Sequence, residues 1–271
     1  MRRMILLLLV AAAGVGGWWL WKDGADFRDS LMQYIENGEL VTLEAKYTPE
    51  QIMEKYRKEL LADEKHVYQD PIQKYHPHLL IEAKYTLADR KTREGVVLWS
   101  LVDGEMVLDT DSWEKTHGFA DAIKANATRT DFKLMNALAK NGGSASKEQL
   151  QKDLHLEADI LEPWVKSACQ KSLVVQLGSE YQLHFQDPKI LVTPQTKVKQ
   201  GFVSKDYKHA QCVAKKYSRA QIERVAQAAF GPAFTIRQVS DVYLPVYGIG
   251  VLNPDGSVRL SYWNALNSQK M

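Results

Sequence analysis

From Met4 to Trp21 the chain carries no charged residue, and beyond it apolar positions recur at helix or strand spacing. The uncharged run would span about 27 Å as a helix, close to the roughly 30 Å of a bilayer's hydrocarbon core. Arg2 and Arg3 precede it, and Trp18, Trp19 and Trp21 close it, where indoles favour the membrane–water boundary. The pattern predicts a transmembrane anchor over 1–22. The rival reading is a cleaved signal peptide, because Ala11-Ala12-Ala13 offers a small-residue cleavage site. No cysteine follows the run, which argues against a lipoprotein anchor. A short basic tail stays inside, so the body is expected outside the cytoplasm. Next, Phe27, Leu31 and Ile35 stand at four-residue spacing before Asn37-Gly38, the pattern of a short amphipathic helix beside the membrane.

Two later segments repeat one pattern. "AKYTPEQI" (45–52) follows an apolar strand and returns as "KKYSRAQI" (215–222). Thr48 with Gln51, and Ser218 with Gln221, fit a capping box; Tyr47 with Ile52, and Tyr217 with Ile222, fit a hydrophobic staple. Capping chemistry alone accounts for these matches, apart from Lys46 and Lys216. The first helix is expected to present Ile52, Met53, Tyr56 and Leu60 on one face; the second presents Ile222, Val225, Ala226 and Ala229 and stops at Gly231-Pro232. Each copy then has Tyr-x-Pro-x-x-x-Ile, at Tyr75–Ile81 and Tyr243–Ile249. An Asp-Gly turn follows in each, at Asp103-Gly104 and Asp255-Gly256, and then a tryptophan, Trp113 or Trp263. "GVVLWSL" reads as an extra strand in the first copy. Landmarks in one order at near-matched spacing predict two related small α+β units, over 23–127 and 201–271.

The middle of the chain has another rhythm. Thr130 starts a helix with Phe132, Met135, Leu138 and Ala139, closed by Asn141-Gly142. Ser146 and Gln149 cap a second helix, and a third from about Ala158 turns Leu161, Trp164, Val165 and Ala168 inward. "LVVQLGSEYQLHF" reads as a hairpin turning at Gly178-Ser179. Three short helices and a hairpin resemble the winged-helix fold over roughly Thr128 to Pro194. The fold class expected is therefore α+β: an N-terminal transmembrane helix, then two related α+β units flanking a winged-helix-like domain at 128–200.

Charge sharpens this division. The formal net charge is only +2, but Asp23–Thr128 holds 13 Lys/Arg against 21 Asp/Glu, and Gly201–Met271 holds 9 against 4. The flanking units are thus expected to attract one another, within a chain or between two, or to recruit partners of opposite sign. Lys197, Lys199, Lys205, Lys208, Lys215, Lys216, Arg219 and Arg224, opposed only by Asp206 and Glu223, form a candidate interaction surface. The expected third helix of the central domain carries Glu157, Asp159 and Glu162 against Lys166 and Lys171, and the hairpin tip holds Glu180 and no Lys or Arg, so DNA binding is disfavoured.

Other candidates are sparse. Cys169 and Cys212 could pair in an oxidising compartment; the alternative is two buried free thiols. His76 and His78 flank Pro77 at strand spacing, as two metal ligands can, but no third ligand is placed by spacing and the second copy has Leu244 and Val246 instead. Asp109, Asp111, Glu114 and His117 cluster as in a solvated turn. Tyr75, Trp113, Tyr243, Tyr247 and Trp263 could line an aromatic groove for a peptide or glycan. No Walker loop, nucleophile elbow, His-Glu-x-x-His or Cys-x-x-Cys is present, and no catalytic residue, metal or cofactor is assigned. The reading is a membrane-anchored, extracytoplasmic, non-enzymatic scaffold or adaptor. The alternatives are a membrane-tethered winged-helix DNA-binding regulator and an envelope hydrolase.

Overall fold

The computed structural model describes residues 39–86, 91–206, 208 and 210–271. The expected anchor and the Phe27–Ile35 helix lie outside the described residues. Among those described, no helix is long and apolar enough to cross a membrane.

The described chain begins with β1 (Glu39–Leu43), α1 (Pro49–Lys55) and α2 (Arg57–Leu60). Thr48 caps α1 as the sequence predicts: its hydroxyl accepts from the Gln51 amide, and the Gln51 side chain accepts from the Thr48 amide. The single face expected from Ile52 to Leu60 is instead broken at Tyr56, which leaves helical geometry and splits α1 from α2. β2 (Val67–Tyr68), β3 (Ile72–Thr86), β4 (Thr92–Ser100), β5 (Met106–Asp109) and β6 (Glu114–Lys115) follow. Then come α3 (Phe119–Lys124), α4 (Arg129–Lys140), β7 (Ser144–Ser146), α5 (Lys147–Leu154), α6 (Ala158–Gln170), β8 (Val174–Leu177) and β9 (Glu180–Leu183). β10 (Phe202–Asp206), β11 (Gln211–Cys212), α7 (Arg219–Phe230), β12 (Thr235–Leu252) and β13 (Val258–Asn264) complete the chain. The fold is mixed α and β.

Ten described strands form one sheet in the order β10-β1-β12-β3-β4-β5-β6, with β11 added to β3 and both β13 and β2 added to β12. Its centre is the antiparallel β3–β12 ladder. There His76 faces Leu244, Tyr75 faces Pro245 and Pro77 faces Tyr243, so the pairing is locally two-fold about the His76–Leu244 pair. Flanking contacts obey the same relation. β1 runs parallel to β12 with Thr42 beside Tyr243, and β11 runs parallel to β3 with Cys212 beside Tyr75. The amides of Leu101 and Ala265 donate to the Pro77 and Pro245 carbonyls, at 3.0 and 3.1 Å.

The helices are exchanged across this centre. The Lys46 and Tyr47 amides both donate to the Ala265 carbonyl, while the Lys216 and Tyr217 amides both donate to Leu101. Accordingly α1 buries Ile52 against Tyr247, Ile249, Val251 and Trp263, and α7 buries Ile222, Val225 and Ala226 with Leu79, Ile81, Val97 and Trp99. Each such aliphatic side chain contributes about 1.5–3 kcal/mol on burial. The described residues of 39–127 and 201–271 therefore interlock in one sheet. Among the described residues the ion pairs that link them, Arg237–Glu94 and Lys270–Glu59, are exposed, so apolar burial and ladder hydrogen bonds outweigh the charge attraction expected from composition.

One correspondence differs from the sequence pattern. Asp255-Gly256 joins β12 to β13, whereas Asp103-Gly104 lies beyond β4, on the way to β5. "GVVLWS" is not an extra strand: as β4 it stands to β3 as β13 stands to β12. The counterpart of Trp263 is thus Trp99, each fully buried two residues before the carbonyl that receives a helix start. Spacing misled here because the β3–β4 connection, at 87–91, carries no Asp-Gly pair.

α4, α5 and α6 pack on a second sheet, of order β7-β9-β8, and share the main core through an aromatic chain. Phe119 sits edge-on to Trp99 at 4.9 Å and 5.7 Å from Phe132. Glu105 fixes α3 there, accepting from the Gly118 and Ala120 amides at 3.1 and 3.0 Å and from the Thr116 hydroxyl at 2.7 Å. Arg129 donates to the Ala228 and Ala229 carbonyls at the end of α7, and Thr196 fills the gap where β4 and β5 diverge, bonding Leu98 and Val107.

Candidate functional site

A polar cleft opens in the sheet where β1 leaves the side of β12 and β13 takes its place; a second, of about 440 Å³, lies between Arg93, Asp109, Glu114 and Lys197, where Lys197 is bonded through its backbone. The first encloses about 330 Å³ and is lined by Thr42, Leu43, Glu44, Ala45, Gln73, Tyr75, Val203, Lys205, Pro245 and Tyr247. Proline at 245 suits the site, because the edge passes there from β1 to β13 and no amide is needed to continue a ladder. Tyr75 and Tyr247 are nearly buried, at 6% and 8% exposure, yet neither hydroxyl bonds to a described residue. Burial pushes both phenols above their ordinary value, so both remain O–H donors at neutral pH. Gln73, Glu44 and Lys205 are exposed at the rim, and neither charged side chain forms an ion pair with a described residue. The cleft thus combines two phenol donors, an amide, a cation and an anion, all available to a ligand.

Only two of the five aromatic candidates meet in this cleft. Tyr243 is buried beside Leu40 and Tyr75, Trp263 lies under α1, and Trp113 packs with Leu98, Val107 and Leu244. Trp113 contacts His78 instead, rings edge-on at 5.5 Å. No single groove joins the five.

His76 and His78 do share a strand face, but the pair is directed into the protein. His78 is 2% exposed; its Nδ1 lies 2.9 Å from the His76 carbonyl oxygen, so that nitrogen carries the proton. Its Nε2 is buried without a partner, as is Trp113 Nε1. Burial holds the His78 imidazole down to about 4, and burial likewise lowers His76. Among the described residues, no three His, Cys, Asp or Glu side chains are gathered to hold a metal.

The basic stretch is dispersed by pairing. Lys199 approaches Asp109 and Asp111, Lys215 meets Asp241 at 2.7 Å, Arg219 meets Glu223 at 2.7 Å, and Arg224 donates to Asn126. Lys197 bonds through its backbone to Leu108 and Thr110, while Lys216 lies 5.5 Å over the Tyr217 ring. Lys205 and Lys208 extend from the β10 end of the sheet, and Lys205 reaches the cleft. The acid cluster is likewise a braced turn: Asp109 accepts from the Asp111 amide, Asp111 pairs with Lys46, Glu114 pairs with Lys189, and His117 bonds the Asp187 carbonyl. Lys46, the residue that capping left unexplained, is used there. Cys169 and Cys212 are free thiols in different packing clusters, one on α6 and one on β11, so the disulfide considered from sequence is not formed.

Sequence reasoning missed Glu44 and Gln73 because the cleft is assembled from β1, β3, β10 and β12. No local pattern marks a site built from four strand segments. Comparison with known protein families, characterised proteins and solved structures finds no match to this chain.

Proposed function

We propose that this protein is a membrane-anchored, extracytoplasmic binding scaffold or adaptor without catalytic activity, in which two copies of one α+β unit interlock around a winged-helix-like insert. The observation that carries a binding role is the Tyr75–Tyr247 cleft. Its available groups are protonated phenols, an amide and fixed charges, which is the chemistry of recognition. The local two-fold pairing at His76–Leu244, with its exchanged helix starts, supports the duplication. The order α4-β7-α5-α6-β8-β9, with strands ordered β7-β9-β8, supports the winged-helix assignment. The anchor rests on the uncharged run from Met4 to Trp21.

The DNA-binding alternative has less support. α6 exposes Asp159 and Glu162 against Lys166, and Lys147 of the neighbouring helix is spent on Glu162 at 2.5 Å. Such a face supplies little charge to neutralise phosphates. Reporter fusions after Met271 test the proposal. A reporter that works only outside the cytoplasm is expected to be active; activity only from a cytoplasmic reporter would overturn the extracytoplasmic assignment and favour the regulator.

A further inference from the structure

We infer that the Tyr75–Tyr247 cleft binds a short zwitterionic peptide, with its carboxylate held by Lys205, its ammonium held by Glu44 and its peptide group met by Gln73 and the tyrosine hydroxyls. The inference rests on reading the cleft as a binding site and is independent of which side of a membrane the body occupies.

The first argument is asymmetry within a symmetric frame. Under the local two-fold, Tyr75 exchanges with Tyr243 and Pro245 with Pro77. Leu79 then stands where Tyr247 stands, Asp241 where Gln73 stands, and Lys215 where Ala45 stands. At that second place Lys215 and Asp241 close on each other at 2.7 Å. The first place keeps its charged groups apart and adds a second phenol. The frame needs the shared tyrosine and proline for pairing. It does not need the Tyr247 hydroxyl, where the second place has leucine, or the side chains of Glu44, Gln73 and Lys205, so these groups set the chemistry of the cleft.

The second argument is spacing. In the β1–β10 ladder Leu40 faces Lys205, while the Glu44 amide bonds the Gly201 carbonyl. Lys205 and Glu44 thus lie on one sheet face four positions apart, about 13 Å at the backbone. Their side chains flank Thr42 and Val203, which also line the cleft. A ligand joining both charges must bridge several ångströms. An extended dipeptide or tripeptide, about 7 to 10 Å long, matches this span better than a free amino acid, whose two charged groups share one carbon. The Gln73 amide is suited to the peptide group between them.

Calorimetric titration of the full chain in detergent tests this with dialanine as the probe. N-acetyl-dialanine, dialanine amide and maltose are the comparators. Dialanine is expected to bind, with each blocked form at least about tenfold weaker, roughly 1.4 kcal/mol. Glu44→Gln is expected to remove the penalty for N-acetylation, and Lys205→Gln the penalty for amidation. Tyr247→Leu, which copies Leu79, is expected to weaken dialanine by a similar factor. Both charged residues are exposed, so their variants keep the test valid if Tyr247→Leu misfolds. No heat with dialanine at about 10 mM, equal affinity for the blocked forms, or a preference for maltose would each overturn the inference. A reversed topology would fail the reporter test and leave this titration unchanged.

Discussion

His78 makes the chain acid-sensitive by an amount that can be worked out. Its imidazole is buried in the layer formed by Leu98, Val107, Val242 and Leu244, with Trp113 edge-on and Nε2 unpartnered. Burial disfavours its charged form, and the Lys115 and His76 charges add to this; together they outweigh the bond to the His76 carbonyl and the attraction of Asp103, and hold the folded pKa near 4 against the ordinary 6.5. The unfolded chain therefore takes up this proton first as pH falls. Above pH 6.5 neither state holds it and the group's contribution is complete. Between 6.5 and about 4 the unfolded state binds more protons, so stability falls with pH; below 4 the loss is finished. The gap of roughly 2.5 pH units corresponds to about 3 kcal/mol. His78→Val installs the residue found at the two-fold equivalent, Val246, and removes the titration. The variant gives up the bond to the His76 carbonyl, about 1 kcal/mol, and gains an apolar contact, so little net change is expected at pH 7.5. Urea unfolding of both proteins at pH 7.5 and 4.5 is the assay. The parent should lose about 2–3 kcal/mol more than the variant over that interval, since the other titrating groups are common to both. Equal losses would show that His78 is hydrated or already charged in the folded state, and would refute the reasoning.

Three further outcomes follow from the packing. Gly104 has φ +81°, and a β-carbon there would lie 2.8 Å from Tyr217 Cε2 and 3.2 Å from the Ala120 backbone, so Gly104→Ala should cost about 3 kcal/mol or more; Gly142→Ala, at φ +74° with open space, should cost about 1–2 kcal/mol by thermal unfolding. Asp131 is buried, accepts from the Thr128 amide and hydroxyl at 2.7 Å each and pairs with the partly exposed Lys171; Asp131→Ala should lower stability by about 2–3 kcal/mol, and a loss below about 0.5 kcal/mol would contradict its capping role. Because the interlock is apolar and hydrogen-bonded, the scattering radius should be unchanged between low salt and 1 M salt, where the Debye length is about 3 Å; expansion at high salt would restore the charge-driven contact suggested by composition.

The local chemistry of this chain was legible in its residues. Thr48 and Ser218 cap their helices with Gln51 and Gln221, and the hairpin turns at Gly178-Ser179 between β8 and β9. Capping and turn formation involve neighbours in sequence, so residue types alone decide them. The repeated Tyr-x-Pro pattern was visible too, but not that the two copies pair with each other about His76 and Leu244. Nor was it visible that each helix start would bind the other copy's strand, or that Trp99 rather than Trp113 would match Trp263. Those outcomes depend on which strand edges meet, and either copy could have satisfied its own hydrogen bonds. The cleft lies further still from the sequence: Glu44, Gln73, Lys205 and Tyr247 are adjacent only once β1, β3, β10 and β12 are side by side. Residue pattern determined the elements and their caps, whereas the pairing of distant edges decided where charges and hydroxyls converge, because that pairing alone brings separate strand segments within reach of one ligand.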